Sequence, residues 1–250
     1  MAGNIKLIVC RNPDEVAKRC AGLYIEQVRN KPESVLGFAT GSTPEKTYVE
    51  IAKLAKAEKV SFSKALSFNL DEYWGLDGDH DQSYRYFMNE RLFNHIDIRP
   101  WNTNVLNGKA RFPEIECRAY EEKIVSVGGV DLWVLGIGNN GHIAFNEPGS
   151  PVDSRTRLVS LTQSTIDSNS DGRFFKKACE VPRCALSTGI GTIRDARKLV
   201  LLATGAKKAE AIAKAIEGPF TTDVPASLLQ DHPDCTFILD TDAAGKLKSR

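Results

Sequence analysis

The sequence predicts an α/β fold, doubly wound, with a mostly parallel sheet and helices on both faces in a Rossmann-like three-layer arrangement. Three observations carry this. Short apolar runs alternate with longer amphipathic stretches along the whole chain, the signature of successive strand–helix units. Several runs are almost continuously apolar, Leu199-Val200-Leu201-Leu202-Ala203 among them, as strands covered on both faces are. The chain has 250 residues, 42% hydrophobic and 26% charged, enough to bury a sizeable core and ordinary for a globular protein. No repeat, low-complexity block or Gly/Ser-rich linker divides it, so residues 1–250 read as one domain.

In chain order, Ile5–Val9 reads as the first strand; this apolar run is too short for a membrane span or a signal-peptide core. An amphipathic helix follows over Pro13–Arg29. The apolar runs Ser34–Ala39 and Ala65–Leu70 read as strands, separated by a helix over Pro44–Ala57. Helical patterns then occupy Ser83–Phe93 and Pro113–Val127. Strands are expected at Val130–Leu135, Arg157–Leu161 and Lys198–Ala203, a helix at Ala206–Ile216, a short helical piece at Ala226–Gln230, and a last strand at Thr236–Leu239.

Formal net charge is +1, so no bulk field favours nucleic acid or an acidic membrane, and any anion site must be local. The six cysteines, at 10, 20, 117, 179, 184 and 235, form no CxxC pair and no zinc-ligand spacing with the four histidines. They read as reduced, mostly buried thiols of a cytosolic protein.

In open parallel sheets, ligands lie beyond the carboxyl ends of the strands, so chemistry is sought in four strand-end loops. The first, Ala39-Thr40-Gly41-Ser42-Thr43-Pro44-Glu45, turns at a glycine into a helix. Ser42 and Glu45 fit a capping box, and the free N–H groups and hydroxyls fit a phosphate cradle. The second, Ser67 to Trp74, ends an apolar strand on Asp71-Glu72. Such carboxylates can shuttle protons, and neighbours in sequence point in different directions, so at most one faces the cleft. The third, Gly136-Ile137-Gly138-Asn139-Asn140-Gly141, contains a literal GxGxxG. A dinucleotide fingerprint needs a helix opening there, and His142 to Pro148 has no helical stretch. His142 with nearby Glu147 is the sharper pair, an imidazole titrating near neutrality beside a carboxylate. The fourth, Ala203 to Ala209, places Lys207 and Lys208 in a first helical turn, against the helix dipole, a placement from which an anionic ligand gains. Together the loops suit proton transfer on a sugar phosphate.

The same residues resemble the glucosamine/galactosamine-6-phosphate isomerase family. The matching stretches are Leu36 to Pro44, Asn69 to Tyr73, Gly136-Ile137-Gly138, and Gly141 to Gly149. Ser154 to Arg157, Arg173 to Phe175, Val181-Pro182 with Ala185-Leu186, and Lys208 to Gly218 match as well. The resemblance implies isomerising deamination of glucosamine-6-phosphate to fructose-6-phosphate and ammonia, in amino-sugar and N-acetylglucosamine breakdown, by a cytoplasmic hydrolase acting on a C–N bond. It implies Asp71 as the base moving a proton between C2 and C1, His142 as the ring-opening group, and Glu147 as the residue orienting it. Gly41, Ser42, Thr43, Arg173 and Lys208 would hold the phosphate, with no metal or redox cofactor, and Thr162–Pro182 would form a mobile lid. Its only partner would be a small sugar phosphate, not nucleic acid or membrane; the oligomeric state is left open between monomer and homo-oligomer.

Departures from the family pattern accompany these matches. Many members carry aspartate where this chain has Asn140, which can only hydrogen-bond and position. Ser168 to Gly172 is about two residues longer than the usual pattern. Val159 replaces a lysine of allosterically activated members and the sequence closes at Arg250, so weak or absent activation by the acetylated sugar phosphate is expected. Galactosamine-6-phosphate deamination and 6-phosphogluconolactone hydrolysis are alternatives in the same fold. The His142-to-Glu147 run and Asp71-Glu72-Tyr73 favour the deaminase over the lactonase. A sugar-phosphate-sensing regulator would need a DNA-binding module, for which the first strand near Ile5 leaves no room.

Overall fold

The computed structural model describes residues 5–170, 175 and 177–248. Seven strands form one parallel sheet: β1 (Ile5–Cys10), β2 (Val35–Phe38), β3 (Leu66–Asn69), β5 (Thr103–Asn104), β6 (Leu132–Leu135), β9 (Leu199–Ala203) and β10 (Cys235–Asp240), in the order β1-β10-β9-β6-β2-β3-β5. The chain builds outward from β2 through β3 and β5, then returns to build the other way through β6, β9 and β10. That reversal at β2/β6 is where open sheets of this class leave a crevice.

Parallel register explains why helices cover both faces. Gly37 pairs with Phe68, and Phe38 with Asn69, so Phe38 and Phe68 point to opposite sides. Phe38 stacks on Tyr24 of α1 (Pro13–Asn30) and meets Tyr48 of α2 (Ser42–Glu58) edge-on. Phe68 meets Tyr120 of α4 (Pro113–Ser126) edge-on. The doubly wound fold is therefore as the apolar periodicity implied. Strand and helix ends agree with expectation to within about two residues for most elements, the usual scatter at frayed ends.

Three differences bear on the site. Arg157–Leu161, expected as a strand, lies outside the parallel sheet and forms β7 (Arg157–Ser160) of a second, antiparallel sheet with β4 (Asp71–Tyr73) and β8 (Cys184–Ser187), in the order β4-β8-β7. Asp71-Glu72-Tyr73, expected as a loop, is thus a strand. The chain crosses between sheets at Leu70, whose N–H donates to Phe38 O on β2 while its carbonyl accepts from Thr188 N. Ala206–Ile216 begins as a 3-10 turn (Ala206–Lys208) before α7 (Ala209–Glu217), and Ala226–Gln230 is 3-10 rather than α. The remaining α-helices among the described residues are α3 (Tyr84–Arg91), α5 (Gln163–Asn169) and α6 (Ile190–Arg194).

The second sheet has its own small core of Tyr73, Phe145, Ile166, Phe175, Val181 and Ala185, with Val159 and Leu161 at its margin. Ile166 comes from α5, so this core fastens the start of the 162–182 segment over the end of the main sheet.

Candidate active site

The carboxyl ends of β2, β3, β6 and β9 open into one cavity of about 540 Å³. It is lined by the 39–44 turn, Asp71, the 136–145 loop, Lys208 and, from above, Thr165 and Asn169 of α5. A shallower depression of about 310 Å³ elsewhere is lined by Arg155 and Arg194, but these arginines are already paired with Asp195 and Asp231.

One end of the cavity is built from two strand-to-helix turns. At the first, Gly41 has φ +108°, a conformation that side-chain-bearing residues rarely adopt. Gly41 is itself the N-cap of α2 and carries no capping side chain. The capping box expected at Ser42–Glu45 does not form, because Ser42 is already inside the helix and Glu45 pairs with Arg91 at 3.1 Å. The consequence favours a ligand: the first N–H groups of α2 have no side chain to satisfy them, with two hydroxyls alongside. At the second turn, the buried carboxylate of Asp240 accepts from Gly205 N at 3.0 Å and Ala243 N at 2.8 Å. It thereby fixes the 3-10 turn that presents Lys208. Lys208 has no carboxylate partner among the described residues, and burial lowers its pKa. A half-buried ammonium without a counter-ion is what an incoming phosphate would neutralise. Arg173, the other expected phosphate ligand, lies outside the described residues.

At the other end, strand alternation separates the two acids. Glu72 points away from the cavity and accepts from the N–H groups of Tyr73, Tyr84 and Arg85 at 2.8, 2.9 and 2.9 Å. It caps α3, and burial outweighs those bonds to push its pKa up to about 7. Asp71 and Tyr73 share the opposite face and line the cavity. Asp71 is buried, and no described group hydrogen-bonds to its carboxyl. Burial first, then the neighbouring Glu72, hold its pKa well above the usual carboxylate range. Such a group suits taking a proton from carbon and returning it.

Across the cavity lies a three-residue array. His142 Nδ1 is 2.8 Å from Asn140 Oδ1, and Asn140 Nδ2 donates to Glu147 Oε2 at 2.7 Å. His142 Nδ1 and Glu147 Oε2 are 3.7 Å apart, beyond a good hydrogen bond. Glu147 is expected to orient the histidine; in the structure Asn140 stands between them and bonds to both. The proton positions follow from the partners. A carboxylate only accepts, so Asn140 must turn its amide nitrogen to Glu147 and its oxygen to His142. Asn140 Oδ1 also accepts His142 N–H at 3.2 Å. The imidazole therefore carries its proton on Nδ1 and leaves Nε2 as the free base. Burial lowers the His142 pKa, Glu147 opposes that shift, and Lys208 adds to it, so the neutral form prevails near pH 7. Gly138 makes room for the ring: a Cβ there would stand 2.1 Å from His142 Cε1.

Tyr73, Asn169, Thr165 and Asp240 were not anticipated. Asn169 Nδ2 donates to Tyr73 OH at 2.9 Å, and Thr165 Oγ1 to Glu147 Oε1 at 2.6 Å. Of these only Tyr73 and Asp240 left a readable signal, one sharing strand parity with Asp71 and the other closing the last apolar run. Among the described residues, no His, Cys, Asp and Glu cluster could hold a metal ion, and no helix is long and apolar enough to cross a membrane.

Comparison with known proteins follows the same lines. Residues 11–238 match the family model described as glucosamine-6-phosphate isomerases/6-phosphogluconolactonase. A glucosamine-6-phosphate deaminase from Thermoanaerobacter pseudethanolicus is 50% identical over 240 residues, 96% of this chain and 94% of that protein. The solved structure of a monomeric glucosamine-6-phosphate deaminase superposes with a TM-score of 0.94 at 42% identity, over 97% of this chain and 100% of the other. A 6-phosphogluconolactonase from Trypanosoma cruzi gives a TM-score of 0.77 at 23% identity, over 99% and 98%, a likeness of fold alone.

Proposed function

The chain belongs to the family of glucosamine-6-phosphate isomerases and 6-phosphogluconolactonases, and within it we propose that it converts glucosamine-6-phosphate to fructose-6-phosphate and ammonia. One observation carries the reading: a free imidazole base and a donor-poor carboxyl line one cavity that ends in an anion-binding turn.

The phosphate is held by Gly41, Ser42, Thr43 and Lys208, with Arg173 of the same binding set. Binding at this remote end positions the sugar for reaction. A closed sugar has no carbonyl to acidify C2, so ring opening comes first. His142 Nε2 takes the proton from the C1 hydroxyl and returns one to the ring oxygen as the C1–O bond breaks. Asp71 then removes the C2 proton while the C1 oxygen takes one from water, forming an enolamine, and delivers its own proton to C1. Water adds to the resulting C2 iminium, ammonia leaves, and the ketose remains. The net change is C–N hydrolysis coupled to an aldose–ketose shift, which needs only protons moved.

The setting we propose is the cytoplasm, in amino-sugar and N-acetylglucosamine breakdown. All six cysteines are free, which fits a reducing compartment. We further propose that the 162–182 segment acts as a lid, since its first helix supplies part of the cavity roof.

Purified protein given glucosamine-6-phosphate is expected to release ammonia and fructose-6-phosphate in equal amounts. Hydrolysis of 6-phosphogluconolactone without ammonia release would overturn the assignment, and a parallel run with galactosamine-6-phosphate fixes the C4 preference. A second expectation concerns Asn140. In Asn140→Asp an anion replaces a neutral oxygen 2.8 Å from His142 Nδ1, which favours the imidazolium. Because Nε2 must be free to act as base, the acidic limb of kcat/KM should move to higher pH, by about one unit. An unmoved limb would show that His142 does not set it.

A further inference from the structure

Both oxygens of Glu147 are engaged, and from different parts of the chain. Oε2 accepts from Asn140, within the same loop. Oε1 accepts from Thr165 Oγ1 at 2.6 Å and lies 3.3 Å from Thr162 Oγ1. A hydroxyl has one proton to give. Thr162 Oγ1 lies 3.0 Å from Thr165 Oγ1 and accepts Thr165 N–H at 3.3 Å, as the N-cap of α5. The assignment that leaves Thr165 both accepting and donating sends the Thr162 proton to Thr165 and the Thr165 proton to Glu147. Aligned hydroxyls of this kind polarise one another, and the final bond is to a charge.

We propose that Thr165 is a positioning residue for Glu147, making the array competent only while α5 lies against it. The inference rests on assigning Asn140, His142 and Glu147 to ring opening. Its physical content is tautomer selection. Without the Thr165 hydroxyl, Oε1 keeps only the long Thr162 contact, and the carboxylate can turn about its terminal torsion, which is soft. Asn140 then loses the stronger of the two contacts that fix which end of its amide faces His142, keeping only the 3.2 Å bond from His142 N–H. If the amide turns, Nδ1 meets a donor, the ring proton moves to Nε2, and the base is lost. α5 is itself held by Asn169 on Tyr73 OH and by Ile166 in the small core. The seating of this segment and the protonation state of the base are thus linked through one hydroxyl.

The test compares Thr165→Val, which keeps the shape, with Thr165→Ser, which keeps the hydroxyl, using steady-state kinetics on glucosamine-6-phosphate and thermal unfolding as a check on folding. For Thr165→Val, kcat should fall about tenfold with KM changed less than about threefold, the effect of losing a hydrogen bond to a charged group. Thr165→Ser should recover most of that loss. In a Glu147→Gln background, Thr165→Val should cost nothing more, since its target is gone. An unaffected Thr165→Val beside a crippled Glu147→Gln overturns the proposal alone, as does a Ser variant as slow as the Val variant. Full turnover in Glu147→Gln overturns the underlying assignment and the proposal with it.

Discussion

Asp71→Asn should abolish turnover while leaving a more stable protein that still binds substrate. The two effects share one cause. The Asp71 carboxyl is buried, receives no hydrogen bond from a described residue, and sits beside Glu72; burial and that neighbour raise its pKa. As a catalyst this makes it a strong enough base to take the C2 proton of an open-chain amino sugar and an acid able to return it at C1. Asparagine has the same shape and no proton to exchange, so kcat should drop by about 10³, within the range for general acid–base groups, with KM changed little. Products formed in deuterated water should also lose their C1 label, and label retained in the variant would show that another group is the base. For stability, the folded state binds this proton more tightly than the unfolded state does. Below an unfolded carboxylate pKa of about 3.9 both states are protonated and the residue has no effect. As pH rises from there toward the raised folded value, stability is lost. Asparagine escapes that loss, so the melting temperature of the variant should exceed the parent's at pH 7 by at least about 2 °C, with the gap closing below about pH 4. A variant less stable than the parent at pH 7 would mean that the carboxylate is better solvated than its surroundings indicate.

What could be read from the sequence divides along a physical line. Lys198–Ala203 was legible because a strand in mid-sheet is buried on both sides and its composition says so. Gly136 to Glu147 was legible because it follows such a strand and places a histidine and a carboxylate where ligands go. β4 and β8 were not. Asp71-Glu72-Tyr73 is too short for alternation to register, and Cys184-Ala185-Leu186-Ser187 is too mixed to stand out. β7 was seen as a strand but its sheet was not, because an apolar run does not name its neighbour. The capping box failed for a related reason: Ser42 and Glu45 have the right spacing, but a glycine in a left-handed conformation takes the cap one residue earlier. Thr165 and Asn169 became visible only once α5 was seated, since their partners Glu147 and Tyr73 are 18 and 96 residues away in sequence. Local chemistry was readable; the contacts that orient it are tertiary.

His142→Gln separates ring opening from proton transfer. Glutamine can donate an amide N–H toward Asn140 Oδ1 and so preserve the line to Glu147, but it cannot accept a proton where Nε2 does. With the closed sugar, kcat/KM should fall by about 10²–10³, the contribution of a general base. An open-chain analogue unable to close a pyranose needs no ring opening, and its C2 proton still meets Asp71. Exchange of that proton with solvent deuterium should therefore fall less than about fivefold in the same variant, by the argument that only a lost transition-state interaction slows a step. Equal losses on the two compounds would remove the ring-opening role. The pH profile supplies an independent check. If Nε2 is the base, the parent's acidic limb should reflect an imidazole whose pKa burial holds below the ordinary histidine value, because protonation of Nε2 costs activity. His142→Gln should erase that limb, whereas Asn140→Asp should displace it upward. A limb that survives in the glutamine variant belongs to another group, and Asp71 would be the first to examine.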